Sequence, residues 1–137
     1  MPHKQPDEVQ LDIACVADNA LAISAARRMA REIGFGESEE FLIATAVSEL
    51  ATNILRYAGS GQVTLRAVNA GGRTGIEVVA LDAGPGIADI HQAMQDHFST
   101  GGSLGLGLPS VRRIMDVFCV EPRPVRGIMC TARKWVD

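Results

Sequence analysis

Residues 62–82 read QVTLRAVNAGGRTGIEVVALD, and this stretch decides the fold. Residues 62–69 and 75–82 are two runs rich in β-forming side chains, and the connection between them, residues 70–74, contains a pair of glycines. Two such runs joined by so short a connection are typical of an antiparallel hairpin. The centre of the chain is therefore predicted to form part of a β-sheet.

The sequence on either side of the hairpin predicts further strands and helices. They are a strand over 9–15, a helix from Asp18 to Gly34, a helix capped by Ser38 that runs to about Tyr57, a helix from Pro109, and strands over 117–120 and 128–136. The order β, α, α, β, β, loop, α, β, β is too irregular for a doubly wound fold. It indicates an α/β two-layer sandwich, with helices on one face of a mixed, mostly antiparallel sheet.

Length and charge limit the classes of protein to which the chain can belong. It has 137 residues, 47% of them apolar, and a formal charge of −3. Residues 9–137 are expected to form one domain behind a short flexible leader, residues 1–8, and no apolar run reaches the roughly 20 residues of a membrane-spanning helix. The mild acidity is also unsuited to binding nucleic acid, which needs a basic patch. Neither a membrane nor nucleic acid is therefore an expected partner.

Three cysteines, Cys15, Cys119 and Cys130, are far apart and form no CxxC pair. An odd number argues against a disulfide framework, and their apolar neighbours predict that they are small buried side chains. This usage is typical of a reducing compartment, so a cytoplasmic location is expected.

The second predicted helix carries a polar seam. Glu49 and Asn53 are four residues apart and lie on the same side, in one sector with Thr45, Thr52 and Arg56. Such a seam is most often a solvated face. The functional alternative is that the carboxylate acts as a general base, while the amide offers a neutral oxygen to a magnesium ion that holds phosphate. The helix alone leaves both interpretations open.

Asp82 ends the second strand of the hairpin and is followed by Ala-Gly-Pro-Gly-Ile, residues 83–87. By itself this is a common turn. The functional alternative is that the carboxylate accepts a hydrogen bond from the exocyclic amine of adenine, a position where guanine presents a carbonyl oxygen. The glycines would let the backbone approach such a ligand closely.

Residues 101–108 read GGSLGLGL and lead into the predicted helix at Pro109. The backbone N–H groups of such a run can hold phosphate. No Gly-Lys-Ser or Gly-Lys-Thr follows, and the run lacks the preceding strand and early position of a dinucleotide-binding motif. Both common glycine-rich nucleotide motifs are therefore excluded.

Taken in order, these three motifs resemble those of the GHKL ATP-binding superfamily of histidine kinases, gyrase and MutL. Within it, the chain is similar to the RsbT-type serine kinases of bacterial stressosomes, over nearly its whole length. The matching segments are Ala-Ala-Arg (25–27), Ser-Glu-Leu-Ala-x-Asn-Ile (48–54), Tyr-Ala-Gly-x-Gly-Gln (57–62), Asp-x-Gly-Pro-Gly-Ile (82–87), Phe-Ser-Thr (98–100) and Gly-Leu-Pro (107–109).

The resemblance implies an ATP- and Mg²⁺-dependent protein serine/threonine kinase that phosphorylates a STAS-domain regulator, with a phosphatase or a sigma-factor regulator as further partners. It implies that Glu49 is the general base toward a substrate serine, that Asn53 ligates Mg²⁺ at the ATP phosphates, and that Asp82 recognises adenine. Residues 87–103 would form a short ATP lid, and Arg27 would face a protein partner. The glycines that it assigns to the nucleotide are Gly84 and Gly86 at the base, and Gly102, Gly105 and Gly107 at the phosphates.

The last strand departs from the superfamily pattern. Many members carry Gly-Thr at its start, and the threonine helps to bind adenine through a water molecule, whereas this chain has Gly127 and Ile128. Thr131, later on the same strand, is a substitute only if its side chain faces the cleft.

Two other functions stay open at this point. One is an RsbW-like anti-sigma factor that acts mainly by binding a sigma factor, although the presence of both Glu49 and Asn53 argues against an inactive enzyme. The other is a stand-alone ATP hydrolase, in which water takes the place of the substrate serine.

Overall fold

The computed structural model describes residues 7–84, 99–100, 103–104 and 107–137. The elements are β1 (Glu8–Ile13), α1 (Val16–Ile33), α2 (Glu37–Tyr57), β2 (Gly61–Ala70), β3 (Arg73–Asp82), β4 (Ser99–Thr100), β5 (Ser103–Leu104), α3 (Leu108–Ile114), β6 (Val117–Pro122) and β7 (Ile128–Trp135). β1 begins at the last residue of the predicted leader, whose residues 1–6 lie outside the described part.

Five strands form one sheet in the order β1-β2-β3-β7-β6, and β4 pairs only with β5. Each of the four pairings within the five-stranded sheet is antiparallel. The predicted hairpin is present, with its register continuing to Ala70 opposite Arg73, so that only two residues form the turn instead of the predicted five. β3 is the central strand, and the site motif at Asp82 lies at its end.

One face of the five-stranded sheet forms one side of the hydrophobic core. Val63, Leu65, Ile76 and Val78 alternate with outward-facing residues along β2 and β3 and are fully buried. The buried faces of α1, α2 and α3 join these residues in one hydrophobic cluster. The described helices thus pack on one face of the sheet, which confirms the predicted two-layer α/β sandwich.

The predicted cap of the second helix is wrong. The N-cap is Gly36, not Ser38, and α2 begins at Glu37. The carboxylate of Glu39 accepts a hydrogen bond from the Gly36 N–H at 3.4 Å, so a residue inside the first turn satisfies the helix start.

Burial of the cysteines was predicted for all three, and this is wrong for two of them. Cys130 is buried, whereas Cys15 and Cys119 are exposed. Cys15 ends the β1–α1 connection as the N-cap of α1, and Cys119 lies on the outer strand β6, so neither position is covered by the described helices.

Among the described residues, none of the helices combines the length and hydropathy that crossing a bilayer requires. The cytoplasmic location stays a prediction.

Candidate functional site

Helix α2 forms one wall of the candidate site. Glu49 and Asn53 occupy successive turns on the same side of α2, and both are half-buried rather than fully solvated. Thr45, one turn earlier, donates its hydroxyl proton to the Phe41 carbonyl at 2.9 Å and is therefore engaged by its own helix. The polar seam predicted from the sequence is thus a partly covered surface at Glu49 and Asn53.

Glu49 lies directly against the start of α3. A Cβ atom at Gly107, the N-cap of α3, would collide with Oε1 of Glu49. Gly107 also has a φ of +73°, which disfavours any residue with a side chain. The glycine is required here for two reasons, and its lack of a side chain lets the Glu49 carboxylate lie against the N-cap of α3.

Asp82 and Gly84 lie beside the C-terminal end of α2. A Cβ at Gly84 would stand 2.6 Å from Cβ of Ala58 and 3.1 Å from the carbonyl oxygen of Tyr57, so the turn after β3 packs tightly on the last residues of α2. Oδ1 of Asp82 accepts a hydrogen bond from the Gly84 N–H at 2.9 Å, which fixes the carboxylate within its turn.

The two ends of the site are therefore joined by α2. Glu49 marks one end at Gly107, and Ala58 marks the other at Gly84. Nine helical residues separate them, which corresponds to about 13 Å along the helix axis. The candidate site is therefore the surface along α2 between these two contacts, hereafter the cleft.

The last strand, β7, forms the floor beneath Asp82 and decides on which side Thr131 lies. Thr131 lies opposite Val79 and Cys119, on the face of the sheet that the described helices leave open. Ile128 and Cys130 alternate with it and face the helices, where both are buried. The condition under which Thr131 would substitute for the missing threonine is therefore not met, because strand alternation turns its side chain away from the cleft.

Cys130 is the functional-site residue that the sequence reasoning missed. Burial raises the pKa of its thiol to about 12, and the nearby negative charge of Asp82 contributes to the same shift. The thiol therefore stays protonated and presents a weak donor on the floor below Asp82. The available signal was the two-residue period from Ile128, which puts Cys130 on the cleft side.

Arg27 lies on α1, away from this cleft. Its Nε donates to Oε2 of Glu40 at 2.9 Å, and Arg31 donates to the same carboxylate oxygen, also at 2.9 Å. The Arg27 side chain keeps 47% of its surface exposed. It therefore ties α1 to α2 and still presents a charge at the surface.

Several predicted site residues cannot be located. Gly86, Gly102 and Gly105 lie outside the described residues, as does most of the predicted lid over 87–103. The structure brings Glu49 and Gly107 together at the middle of α2, and Asp82 and Gly84 together at its C-terminal end.

The described residues are better suited to bind Mg²⁺ than to bind a metal ion whose ligands all come from the protein. They contain no cluster of three or more His, Cys, Asp or Glu side chains that could hold an ion. Mg²⁺ commonly takes one or two protein oxygens and completes its shell with phosphate oxygens and water. One amide oxygen from Asn53, beside a carboxylate one turn away, fits that mode.

Sequence comparison supports one family. Residues 14–131 match the histidine kinase-like ATPase domain. The chain is 44% identical to the serine/threonine-protein kinase RsbT of Bacillus subtilis (strain 168) over 119 residues, which cover 87% of this chain and 90% of RsbT. It is also 35% identical to the anti-sigma F factor of Thermoanaerobacter sp. (strain X514) over 100 residues, 69% of this chain and 68% of that protein.

Solved structures share the fold at low sequence identity. The mycobacterial sensor histidine kinase MprB superimposes with a TM-score of 0.58 at 18% identity, covering 93% of this chain and 97% of the other. A chain of the SiaB-SiaC complex from Pseudomonas aeruginosa gives a TM-score of 0.56 at 14% identity, covering 94% and 89%. The match to the histidine kinase-like ATPase domain implies ATP binding. The chain belongs to the histidine kinase-like ATPase domain family and, within it, to the RsbT-type serine/threonine-protein kinases.

Proposed function

We propose that this protein is an ATP- and Mg²⁺-dependent kinase that phosphorylates a serine or threonine of a STAS-domain regulator and exchanges partners as a result. We further propose that residues 9–137 act as one catalytic domain. The observation that carries the proposal is the arrangement along α2, where Glu49 lies against Gly107 at mid-helix and the Asp82 turn packs on the C-terminal end of the helix. The two contacts lie about 13 Å apart along the helix axis, a span that an extended nucleoside triphosphate would bridge.

The Asp82 end suits the base of the nucleotide. The carboxylate is oriented by the Gly84 N–H, and its other oxygen can accept a hydrogen bond from the exocyclic amine of adenine. Guanine offers a carbonyl oxygen at that position and would be repelled. The protonated thiol of Cys130 and the apolar side chain of Ile128 form the floor in place of the threonine that many relatives carry.

The Glu49 end suits phosphoryl transfer. With the base at Asp82, the terminal phosphate would lie near Gly107, and Asn53 would hold the Mg²⁺ that neutralises charge on the phosphates. The oxygen of the substrate hydroxyl attacks the γ-phosphorus, the bond to the bridging oxygen of ADP breaks, and the Glu49 carboxylate takes the hydroxyl proton. Gly84, Gly86, Gly102, Gly105 and Gly107 would line the nucleotide, as the resemblance implies.

The α1 surface suits the protein partner. Arg27 is half-exposed and held by Glu40, so its charge is presented in a defined direction. A preoriented arginine loses less side-chain entropy when it binds an acidic group of a partner. We propose that the STAS-domain substrate, and a competing phosphatase or sigma-factor regulator, contact this surface.

Calorimetric titration with ATP and ADP, with and without Mg²⁺, tests the proposal. Binding strengthened by Mg²⁺ and weakened by Asp82→Asn is expected, because the amide no longer accepts hydrogen bonds at both of its terminal atoms. Addition of a candidate STAS-domain protein with radiolabelled ATP should then label that protein on serine or threonine. Equal binding by the wild type and the Asp82→Asn variant would contradict the assignment of the base site.

The alternative is an RsbW-like anti-sigma factor, which the 35% identity to an anti-sigma F factor supports. A protein of that type would co-purify with a sigma factor and would bind it in the absence of phosphoryl transfer. Labelling of a STAS-domain protein without capture of a sigma factor would favour the kinase.

A further inference from the structure

The connection between β6 and β7 is a closed loop with a restricted backbone. The Arg123 N–H donates to the Gly127 carbonyl at 3.0 Å, which closes residues 123–127 on themselves. Pro122 and Pro124 flank Arg123, and each proline fixes its own φ. Arg123 is therefore presented from a backbone with little freedom.

Two arginines of this loop donate to the turn that carries Asp82. Nη1 of Arg123 donates to the Asp82 carbonyl oxygen at 2.7 Å, and Nε of Arg126 donates to the Gly84 carbonyl oxygen at 3.3 Å. Both contacts are partly buried, and both join residues about forty positions apart in the sequence. The shorter one has the geometry of a strong, charge-assisted hydrogen bond.

The backbone of the loop touches the same turn. A Cβ at Gly127 would collide with the Asp82 carbonyl oxygen and would stand 2.8 Å from the Cα of Ala83. Since only a residue without a side chain fits, loop and turn are in direct backbone contact. The turn is thus held from one side by the β6–β7 loop and from the other by the end of α2, against which Gly84 packs.

These contacts are important because Asp82 lies at the end of β3, where the strand is paired with β2 but no longer with β7. Gly61 of β2 still pairs with Asp82, but the register between β3 and β7 ends at Leu81 opposite Met129. Beyond that point Arg123 provides a hydrogen bond in the place where strand pairing has ended.

We propose that Arg123 is a positioning residue for recognition of the adenine base, with Arg126 as a weaker second support. This inference rests on the proposed function, in which Asp82 contacts the base. Arg123 does not touch the ligand in this arrangement. It fixes the backbone that carries the Asp82 carboxylate, and thereby the position at which that carboxylate accepts the exocyclic amine.

Nucleotide titration of three variants tests the proposal. Arg123→Met is expected to weaken ATP binding about tenfold, as loss of a charged hydrogen bond would, and to lower the preference for ATP over GTP. A displaced Asp82 discriminates less between an amine and a carbonyl, so the ATP/GTP ratio reports on positioning where a general loss of stability would not. Arg123→Lys, which keeps one charged donor, should restore part of both quantities, and Arg126→Met should have the smaller effect.

Arg73→Met is the matched control. Arg73 lies at the opposite end of β3, where its guanidinium stands 5.3 Å from the centre of the Trp135 ring. The substitution should leave the affinities for ATP and for GTP unchanged. If Arg123→Met does not fold, Arg123→Lys and Arg126→Met carry the test.

The outcomes separate this inference from the function on which it rests. Loss of ATP binding in Asp82→Asn, with wild-type affinity and ATP/GTP ratio in the folded arginine variants, would overturn only the role of Arg123. Wild-type binding by Asp82→Asn would overturn both.

Discussion

Two pairs of carboxylates in this protein have opposite surroundings. Glu40 and Glu77 are the buried charged residues of the described part, with 5% and 4% of their surface exposed, and each is bound by two arginines. The partners are Arg27 and Arg31 for Glu40, and Arg66 and Arg133 for Glu77, at N···O distances of 2.9, 2.9, 2.6 and 2.7 Å. Their negative charge is compensated within the chain.

Glu49 and Asp82 are compensated differently. In the part of the chain that the structure describes, neither forms an ion pair with arginine or lysine; Asp82 accepts from one backbone N–H, and Glu49 lies against a glycine. A carboxylate that is bound by two arginines stabilises the fold, and it has few acceptor positions left for a ligand. The carboxylates of Glu49 and Asp82 keep acceptor positions for a ligand. Substitutions in the two pairs should therefore have different effects, on stability for Glu40 and Glu77 and on activity for Glu49 and Asp82.

The largest effect is expected from Glu49→Gln. A neutral amide of the same shape cannot take the proton of the substrate hydroxyl, so phosphoryl transfer should fall by about 10²–10⁴-fold. ATP affinity, measured by calorimetry, should stay near the wild-type value, because the base acts on the acceptor and not on the nucleotide. An unchanged transfer rate in single-turnover labelling would remove Glu49 from the role of base.

Gly107→Ala should have the next largest effect. The new Cβ would collide with the Glu49 carboxylate, and displacement of a catalytic group by about 1 Å costs about a hundredfold in rate. The positive φ adds about 1–2 kcal/mol of strain.

Gly34→Ala separates the two causes in Gly107→Ala. Gly34 also has a positive φ, +117°, but no heavy atom lies within 4 Å of the Cβ position. It should lose similar stability in urea denaturation and keep the transfer rate. Equal losses of activity in both variants would mean that strain, and not displacement of Glu49, governs the rate.

The spacing of apolar residues in the sequence predicted the secondary structure and part of the candidate site. The hairpin, the long second helix and the shared side of Glu49 and Asn53 all follow from periods of two and 3.6 residues, and the structure has them. The helix start was misjudged by two residues because Gly36 and Ser38 are both acceptable N-caps. In the structure the Glu39 carboxylate accepts a hydrogen bond from the Gly36 N–H, which is the contact expected between N3 and the N-cap of a helix that starts at Glu37.

Contacts between distant segments were not predictable in this way. The two-residue period from Ile128 indicates that Cys130 and Thr131 face opposite sides of the sheet, but the residues that each of them meets depend on the pairing of β7 with β3, where Ala80 is opposite Cys130. The hydrogen bond from Arg123 to Asp82 joins two turns with no common pattern in sequence. Both bear on the base end of the cleft, which is why the motif at Asp82 was visible in the sequence and its support was not.

Glu77→Gln should affect stability and leave the cleft unchanged. The amide keeps one acceptor oxygen for two guanidinium groups that are about half-exposed, so the free energy of unfolding should fall by about 1–2 kcal/mol. ATP affinity should not change, because Glu77 faces away from the helices. A parallel loss of ATP binding would show that the sheet face and the cleft are coupled, and the division between the two carboxylate pairs would fail.

The smallest effect is expected from Glu40→Gln, as a change in how steeply stability falls between pH 4.5 and pH 2. Hydrogen bonds from Arg31 and then Arg27 hold the pKa of Glu40 at about 2, below its ordinary value of 4.5. A carboxyl with a lowered pKa in the folded state contributes stability that is fully present above pH 4.5 and is lost as the pH falls toward 2. Denaturation midpoints of the wild type should therefore fall more steeply over this interval than those of Glu40→Gln, whose side chain does not titrate.

Glu37→Gln, one turn earlier on the exposed side of α2, is the control and should keep the wild-type slope. Identical slopes for Glu40→Gln and the wild type would mean that the arginine pair does not hold this carboxylate in its charged form.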